Sequence, residues 1–185
     1  MNEQNHTAFN ALQRLKEGNK IYLSAERAVG DISPEKRVDT FSNGQHPYAV
    51  VVSCADSRVI PEAIFSCGIG DLFVIRVAGN VVGDYELGSI EYAVEHLGCR
   101  LVLVMGHTCC GAVNAALGQN DGLVKRITDE IKRAIGTECD TEKASVLNVK
   151  QSVGKVKAAF PKVDGLLVCG ALYHTESGSV DFDID

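Results

Sequence analysis

No apolar run in this 185-residue chain approaches the roughly 18–20 residues that a membrane-spanning helix needs. Positive charge is short: 18 Lys and Arg stand against 24 Asp and Glu, for a net charge of −6. That balance argues against nucleic acid or an anionic membrane as partner. The opening Met1-Asn2-Glu3-Gln4-Asn5-His6 lacks the basic segment and apolar stretch of a secretory leader, so a cytoplasmic location is expected. Internal repeats, low-complexity tracts and long linkers are also missing. A single domain is therefore expected over residues 1–185, long enough for a real core. Hydrophobic content of 45% and charged content of 23% are ordinary for a globular protein.

A disulfide framework is excluded in the same way. Seven cysteines are an odd number, and without a leader they read as reduced thiols. Cys67, Cys99, Cys139 and Cys169 have no ligand-type neighbour at useful spacing and are expected to be small buried hydrophobes.

What the chain does have is a set of short, wholly apolar runs. Tyr48 to Val52, Leu72 to Val77, Leu101 to Met105 and Leu166 to Cys169 read as strands. Between them, Leu87 to Leu97 closed by Gly98, Cys110 to Leu117, Ile127 to Ile135, and Val146 to Phe160 before Pro161 read as helices. Phe9, Leu12, Leu15, Ile21 and Leu23 predict an amphipathic helix over Thr7 to Ala25, and the polar stretch Gly30 to Gly44 predicts a connector. Tyr173 to Phe182 reads as a final turn and edge strand. Buried strands alternating with helices give an α/β fold: a mainly parallel β-sheet flanked by helices. Residues 1–45 form its N-terminal helical arm and connector, and 46–185 its core with a C-terminal edge strand.

Ligands in such folds bind beyond the carboxyl ends of strands. Two of the predicted ends carry chemistry. Cys54 follows the first strand in Cys54-Ala55-Asp56-Ser57-Arg58, and His107 follows the third in His107-Thr108-Cys109-Cys110-Gly111. Two thiolates and an imidazole form a soft-to-borderline set suited to zinc, and three protein ligands leave a coordination position open for catalysis. Taken alone, His-x-x-Cys recurs by chance, and a His at a strand end is often structural. The joint pattern at two strand ends is specific. Cys110 is expected in the first turn of a helix starting near Cys109, where the helix end favours thiolate. Asp56 and Arg58 read either as a solvated loop ion pair or as an oriented carboxylate accepting a hydrogen bond from water on the zinc. Zinc brings such water to a pKa of about 7.

These residues resemble the β-class carbonic anhydrases. The likeness runs through Ser53-Cys54-Ala55-Asp56-Ser57-Arg58-Val59-Ile60-Pro61-Glu62, Gly70 to Asn80, Gly88 to Val94 and Gly106 to Val113. It continues more weakly in Gly170-Ala171-Leu172-Tyr173 and Gly178-Ser179-Val180. The resemblance implies reversible hydration of carbon dioxide to bicarbonate and a proton, with one Zn2+ per subunit held by Cys54, His107 and Cys110 and with Asp56 and Arg58 as an orienting dyad. It implies a homo-oligomer, dimer or tetramer, with clefts between subunits. It also implies a plant-like substrate pocket of Gln45, Phe73, Ala78, Tyr92 and Gly111, in which Gln45, Phe73 and Tyr92 come from the neighbouring subunit. For Phe73 and Tyr92 plain core packing is the competing reading, and for Gln45 a simple turn. The family's other pocket style needs a tryptophan where Val51 stands, and this chain has none. Arg76 and Tyr173 match two members of that style's inhibitory bicarbonate site, but the third is missing, so no bicarbonate-driven closure is expected. His46 and His174 titrate in a range suited to proton release, without a placement that singles out either. Two other functions fit the same residues: hydrolysis of carbonyl sulfide or carbon disulfide, and a non-catalytic zinc or redox module with a fourth thiol such as Cys109. Cys109 and Cys110 should diverge at a helix start, which disfavours the module.

Overall fold

The protein is described by a computed structural model covering residues 7–27 and 30–184. Its sheet has five strands in the order β2-β1-β3-β4-β5. These are β1 (Ala49–Ser53), β2 (Leu72–Arg76), β3 (Leu101–His107), β4 (Leu167–Tyr173) and β5 (Val180–Ile184). The first four pair in parallel, and β5 runs antiparallel along β4. The helices are α1 (Ala8–Ser24), α2 (Pro34–Asn43), α3 (Pro61–Ile64), α4 (Asp84–Glu91), α5 (Gly111–Ala116), α6 (Val124–Ile135) and α7 (Thr141–Ala159). None of the described helices is long and apolar enough to cross a membrane.

The apolar runs are strands because both faces of the sheet are covered. Along β1 and β3, Val51, Leu101, Leu103 and Met105 point to one side, where they pack with Ala11 and Leu15 of α1 and with Ile64 and Phe65. Val50, Val52, Val102 and Val104 point to the other, against Ile90 of α4 and Val149, Val153 and Val156 of α7. Alternating sides with both buried produces an unbroken hydrophobic run.

Helix α1 begins where Thr7 accepts a hydrogen bond from the Asn10 N–H. Its fit against the sheet depends on small and polar residues on its inner face. A Cβ at Gly18 would lie 2.0 Å from the Phe65 carbonyl oxygen, so only glycine allows this approach. Next to it, buried Asn19 donates to the carbonyls of Ile64 (3.3 Å) and Gly178 (3.0 Å), and its Oδ1 accepts from the Val180 N–H (3.1 Å). One amide thereby joins α1, α3 and the start of β5. Replacing it by alanine strands three main-chain groups, and Asn19→Ala should lower unfolding free energy by about 2–3 kcal/mol, read by urea denaturation. A loss below about 0.5 kcal/mol would mean that water satisfies these groups and the amide is incidental.

Five expectations need correction. The segment 30–44 is not a plain connector: it contains α2, with Ser33 as N-cap and Pro34 in its first turn. No residue of α2 is buried, so no apolar periodicity marked it. Tyr173 ends β4 rather than opening a final turn. Cys139 is exposed, not buried. Cys110 is the N-cap of α5 rather than a residue of its first turn. The helix read over Leu87 to Leu97 is α-helical only to Glu91 and continues as a π-helical turn over Tyr92–His96.

Candidate metal centre

The chain visits β1, passes outward to β2, then crosses back over β1 to β3. The strand order therefore reverses between β1 and β3, and a crevice at the carboxyl ends of such a pair is where α/β sheets bind ligands. Cys54 leaves β1 here and His107 is the last residue of β3. Ser53 pairs with Met105, so the two strand ends lie side by side. Cys109 has φ of 56°. This left-handed residue turns the chain so that its own side chain faces out while Cys110 faces in.

The Sγ atoms of Cys54 and Cys110 and a ring nitrogen of His107 all lie within 4.8 Å of one another, and all three residues are buried. His107 is oriented by its own turn, since Nδ1 donates to the Thr108 carbonyl at 2.9 Å. That bond leaves the Nε2 lone pair free, and Nε2 is buried with no hydrogen-bond partner. A buried acceptor without a partner is costly, and metal-ligating histidines are commonly fixed through the opposite nitrogen. Cys54 Sγ accepts from the N–H groups of Gly79 (3.2 Å) and Asp56 (3.4 Å). As thiols the two sulfurs would share a proton. The hydrogen bond from Cys110, with those from the Gly79 and Asp56 N–H groups, outweighs burial and holds Cys54 well below the ordinary thiol range. The thiolate so formed, with burial, pushes Cys110 up. A pair that already favours one thiolate beside an unpartnered imidazole nitrogen fits a thiophilic divalent ion such as zinc.

Asp56 and Arg58 converge because the loop after β1 turns back on itself. Asp56 Oδ1 accepts from the Arg58 main-chain N–H (2.9 Å) and Nε (2.9 Å), and Oδ2 accepts from Nη2 (2.8 Å). This grip is the main reason the Asp56 carboxyl lies well below the usual carboxylate range, against the opposing effect of burial. The same Nη2 donates to the Cys109 carbonyl at 3.1 Å. Arg58 thus ties the Cys54 loop to the His107–Cys110 loop. Asp56 Oδ2 stands 3.9 Å from His107 Nε2, at the edge of the three-donor cluster.

The expected pocket residues divide into two groups. Ala78 adjoins Gly79, whose N–H touches Cys54, and Gly111 follows Cys110, so both lie at the centre. Phe73 pairs in register with Val50, four residues before Cys54, which is about 13 Å along a strand. Tyr92 packs on Phe73, with ring centroids 6.2 Å apart. Gln45 precedes β1 and lies at its opposite end from Cys54. The fold does not bring these three to the centre of their own chain.

Three contributors have roles that the sequence does not show; of these only Arg76 stands out in the sequence, as a match to the other style's bicarbonate site. Arg76 donates from Nε to the Cys54 carbonyl (3.2 Å) and from Nη2 to the Asp56 carbonyl (2.7 Å), fixing the loop from the neighbouring strand. The Gly79 N–H and the Thr108 carbonyl act through the main chain, which carries no residue-type signal. Among the remaining cysteines, burial pushes the thiols of Cys67 and Cys99 up to about 11. Brief alkylation of the zinc-loaded protein at about pH 8, read by mass spectrometry, should modify exposed Cys109 and Cys139 and spare Cys67 and Cys99. Equal labelling of all four would contradict this packing.

The sequence model of the carbonic anhydrase family matches residues 49–180. Carbonic anhydrase 2 of Mycobacterium tuberculosis is 49% identical over 113 residues, 60% of this chain. That match spans 54% of the relative, about half its length. The carbonic anhydrase of Mycolicibacterium smegmatis is 34% identical over 92% of this chain and 91% of its own. Among solved structures, the β-carbonic anhydrase CafA of Aspergillus fumigatus superposes with a TM-score of 0.73 at 28% identity, covering 82% of each chain. Tetrameric β-carbonic anhydrases of Sordaria macrospora give 0.69 at 25% identity, covering 80% of this chain and 87% of theirs. A carbon disulfide hydrolase gives 0.59 at 17% identity, covering 80% and 86%, a likeness of fold alone. The chain belongs to the carbonic anhydrase family of lyases, in its β class.

Proposed function

We propose that this protein catalyses the zinc-dependent reversible hydration of carbon dioxide to bicarbonate and a proton. The observation that carries the reading is the buried Cys54–His107–Cys110 cluster with its unpartnered Nε2, bordered by the Asp56–Arg58 pair. Cys54, Cys110 and His107 Nε2 would hold the ion. Bound zinc supplies a Lewis acid that makes water a nucleophile near neutral pH.

The rest of the work falls to this chain's own groups. Asp56 stays ionised at all physiological pH values because Arg58 grips it, so it only accepts hydrogen bonds. Oδ2, at the edge of the cluster, would accept a hydrogen bond from the reacting water, leaving the proton on that oxygen, and so fix which lone pair faces the carbon. Arg58 holds that carboxylate through two oxygens and prevents its rotation. Val113, Ala116, Ile131 and Ala144 pack with the two ligand cysteines and give an apolar wall suited to an uncharged gas.

The acting unit in this reading is a homo-oligomer. Gln45, Phe73 and Tyr92 stand away from the centre of their own chain and would complete the pocket of a neighbouring one. The tetrameric relatives from Sordaria macrospora support that assembly.

Stopped-flow carbon dioxide hydration by the zinc-loaded protein, at about pH 7 and about pH 8.5, tests the reading. Turnover well above the buffer rate is expected at both. A zinc-loaded protein silent toward carbon dioxide but active on carbonyl sulfide or carbon disulfide would replace it with a hydrolase. Silence toward all three gases would leave a metal-holding module.

A further inference from the structure

Helix α7 presents three polar side chains at 148, 152 and 155, spaced to share one face. Each donates to a main-chain carbonyl of the segment running from the metal centre toward α4. Asn148 Nδ2 reaches the Gly79 carbonyl (2.6 Å), Ser152 Oγ the Asn80 carbonyl (3.1 Å) and Lys155 Nζ the Val82 carbonyl (3.0 Å). Asn148 and Ser152 are 2% and 3% exposed, among the valines that α7 buries against the sheet. Polar groups in such a place cost stability unless bonded, and here their partners all belong to one turn.

That turn needs them. Gly79 and Asn80 both have positive φ, 69° and 45°, so their carbonyls cannot join the strand ladder or a helix. A side chain at Gly79 would collide with Ile131, whose Cδ1 lies 2.8 Å from a Cβ there. Gly79 is thus held at both ends. Its carbonyl accepts from Asn148, and its N–H donates to Cys54 Sγ at 3.2 Å.

We propose that Asn148 is a positioning residue for the metal centre, acting through Gly79 to hold its N–H on the Cys54 sulfur. The proposal rests on the zinc reading above. An N–H directed at a thiolate withdraws charge from it and fixes its lone pairs. Without Asn148 the turn can rotate, and the sulfur becomes richer in charge and less well aimed.

The test uses the full-length chain carrying Asn148→Leu, similar in size but without the donor, and Asn148→Ala, which adds no bulk in case the first fails to fold. Val153→Ala, on the same buried helix but outside the turn contacts, is the stability control. Zinc affinity is measured by chelator competition, and the sulfur-to-metal charge-transfer band is recorded in the cobalt-substituted protein. Both Asn148 variants should bind zinc about 10-fold more weakly and move the cobalt band to longer wavelength. Val153→Ala should melt earlier with metal affinity and band unchanged. Asn148 variants that keep affinity within about twofold and the band in place would reduce Asn148 to a helix-packing role and overturn the proposal. Unmodified protein that takes up no zinc would instead overturn the zinc reading, and the proposal with it.

Discussion

Cys54→Ser should lose stoichiometric zinc and carbon dioxide hydration together. Serine is nearly isosteric with cysteine, and Cys54 is buried at the end of a central strand, so the fold should survive. What changes is the donor. An alcohol is not deprotonated under conditions where this thiol is held well below its ordinary range, and it is a hard ligand where zinc here is offered soft ones. The remaining thiol and imidazole make a two-ligand site. Metal content by atomic absorption, measured beside turnover, separates the two losses. A Cys54→Ser protein with full zinc would remove Cys54 from the ligand set. Full zinc with no turnover would give it a role in the chemistry instead.

Asp56→Ala should keep zinc and lose turnover by about 10²-fold or more, the usual cost of deleting one preorganised partner of the reacting group. Asp56 is not among the three clustered donors, so metal content should match the parent protein. The pH dependence separates its role from that of the metal. Its carboxyl is held below the ordinary 3.8. The stability it contributes is therefore complete above that value and is lost only as pH falls through the lower, folded-state pKa. Between about pH 6 and about pH 9 its charge does not change, so Asp56→Ala should scale the pH–rate profile down without altering its shape. A parent profile with an acidic limb that disappears in Asp56→Ala would show Asp56 titrating with the reaction and refute the fixed-acceptor role.

The parts of the fold that could be read in advance are those where one force dominates. Strands β1, β3 and β4 are buried on both faces and appear as runs such as Val50-Val51-Val52. The cluster of three donor side chains was legible because Cys54 and His107 sit at the ends of such strands. Helix α2 was hidden because it buries nothing, leaving only Ser33 and Pro34 as a start signal. The first turn of α7 was missed for a related reason: it opens on Asp140 and Thr141, and its inner face carries Ser145, Asn148 and Ser152 among the valines. Those polar residues blur the helical period because some of them serve the turn at Gly79 rather than the core. Gln45, Phe73 and Tyr92 pose a different difficulty. Their place in a pocket follows from family likeness, and a single chain's geometry sets them at a distance from its own centre.

The split of the ligand set across the chain also bears on how the protein assembles. Cys54 closes β1 and His107 closes β3, yet β2 and α4 are made between them. An ion held by both would act as a clasp across two adjacent inner strands, formed only once the crossover from β2 back to β3 has docked. Chelation should then soften the middle of the sheet rather than its rim. The native state would lose about 4 kcal/mol if the metal is normally present at a thousand times its dissociation constant. Amide exchange in β1 and β3 should quicken while that in β5 stays as it was. In such a molecule the catalytic ion doubles as a fastener, and metal scarcity would thin the folded population as well as its activity.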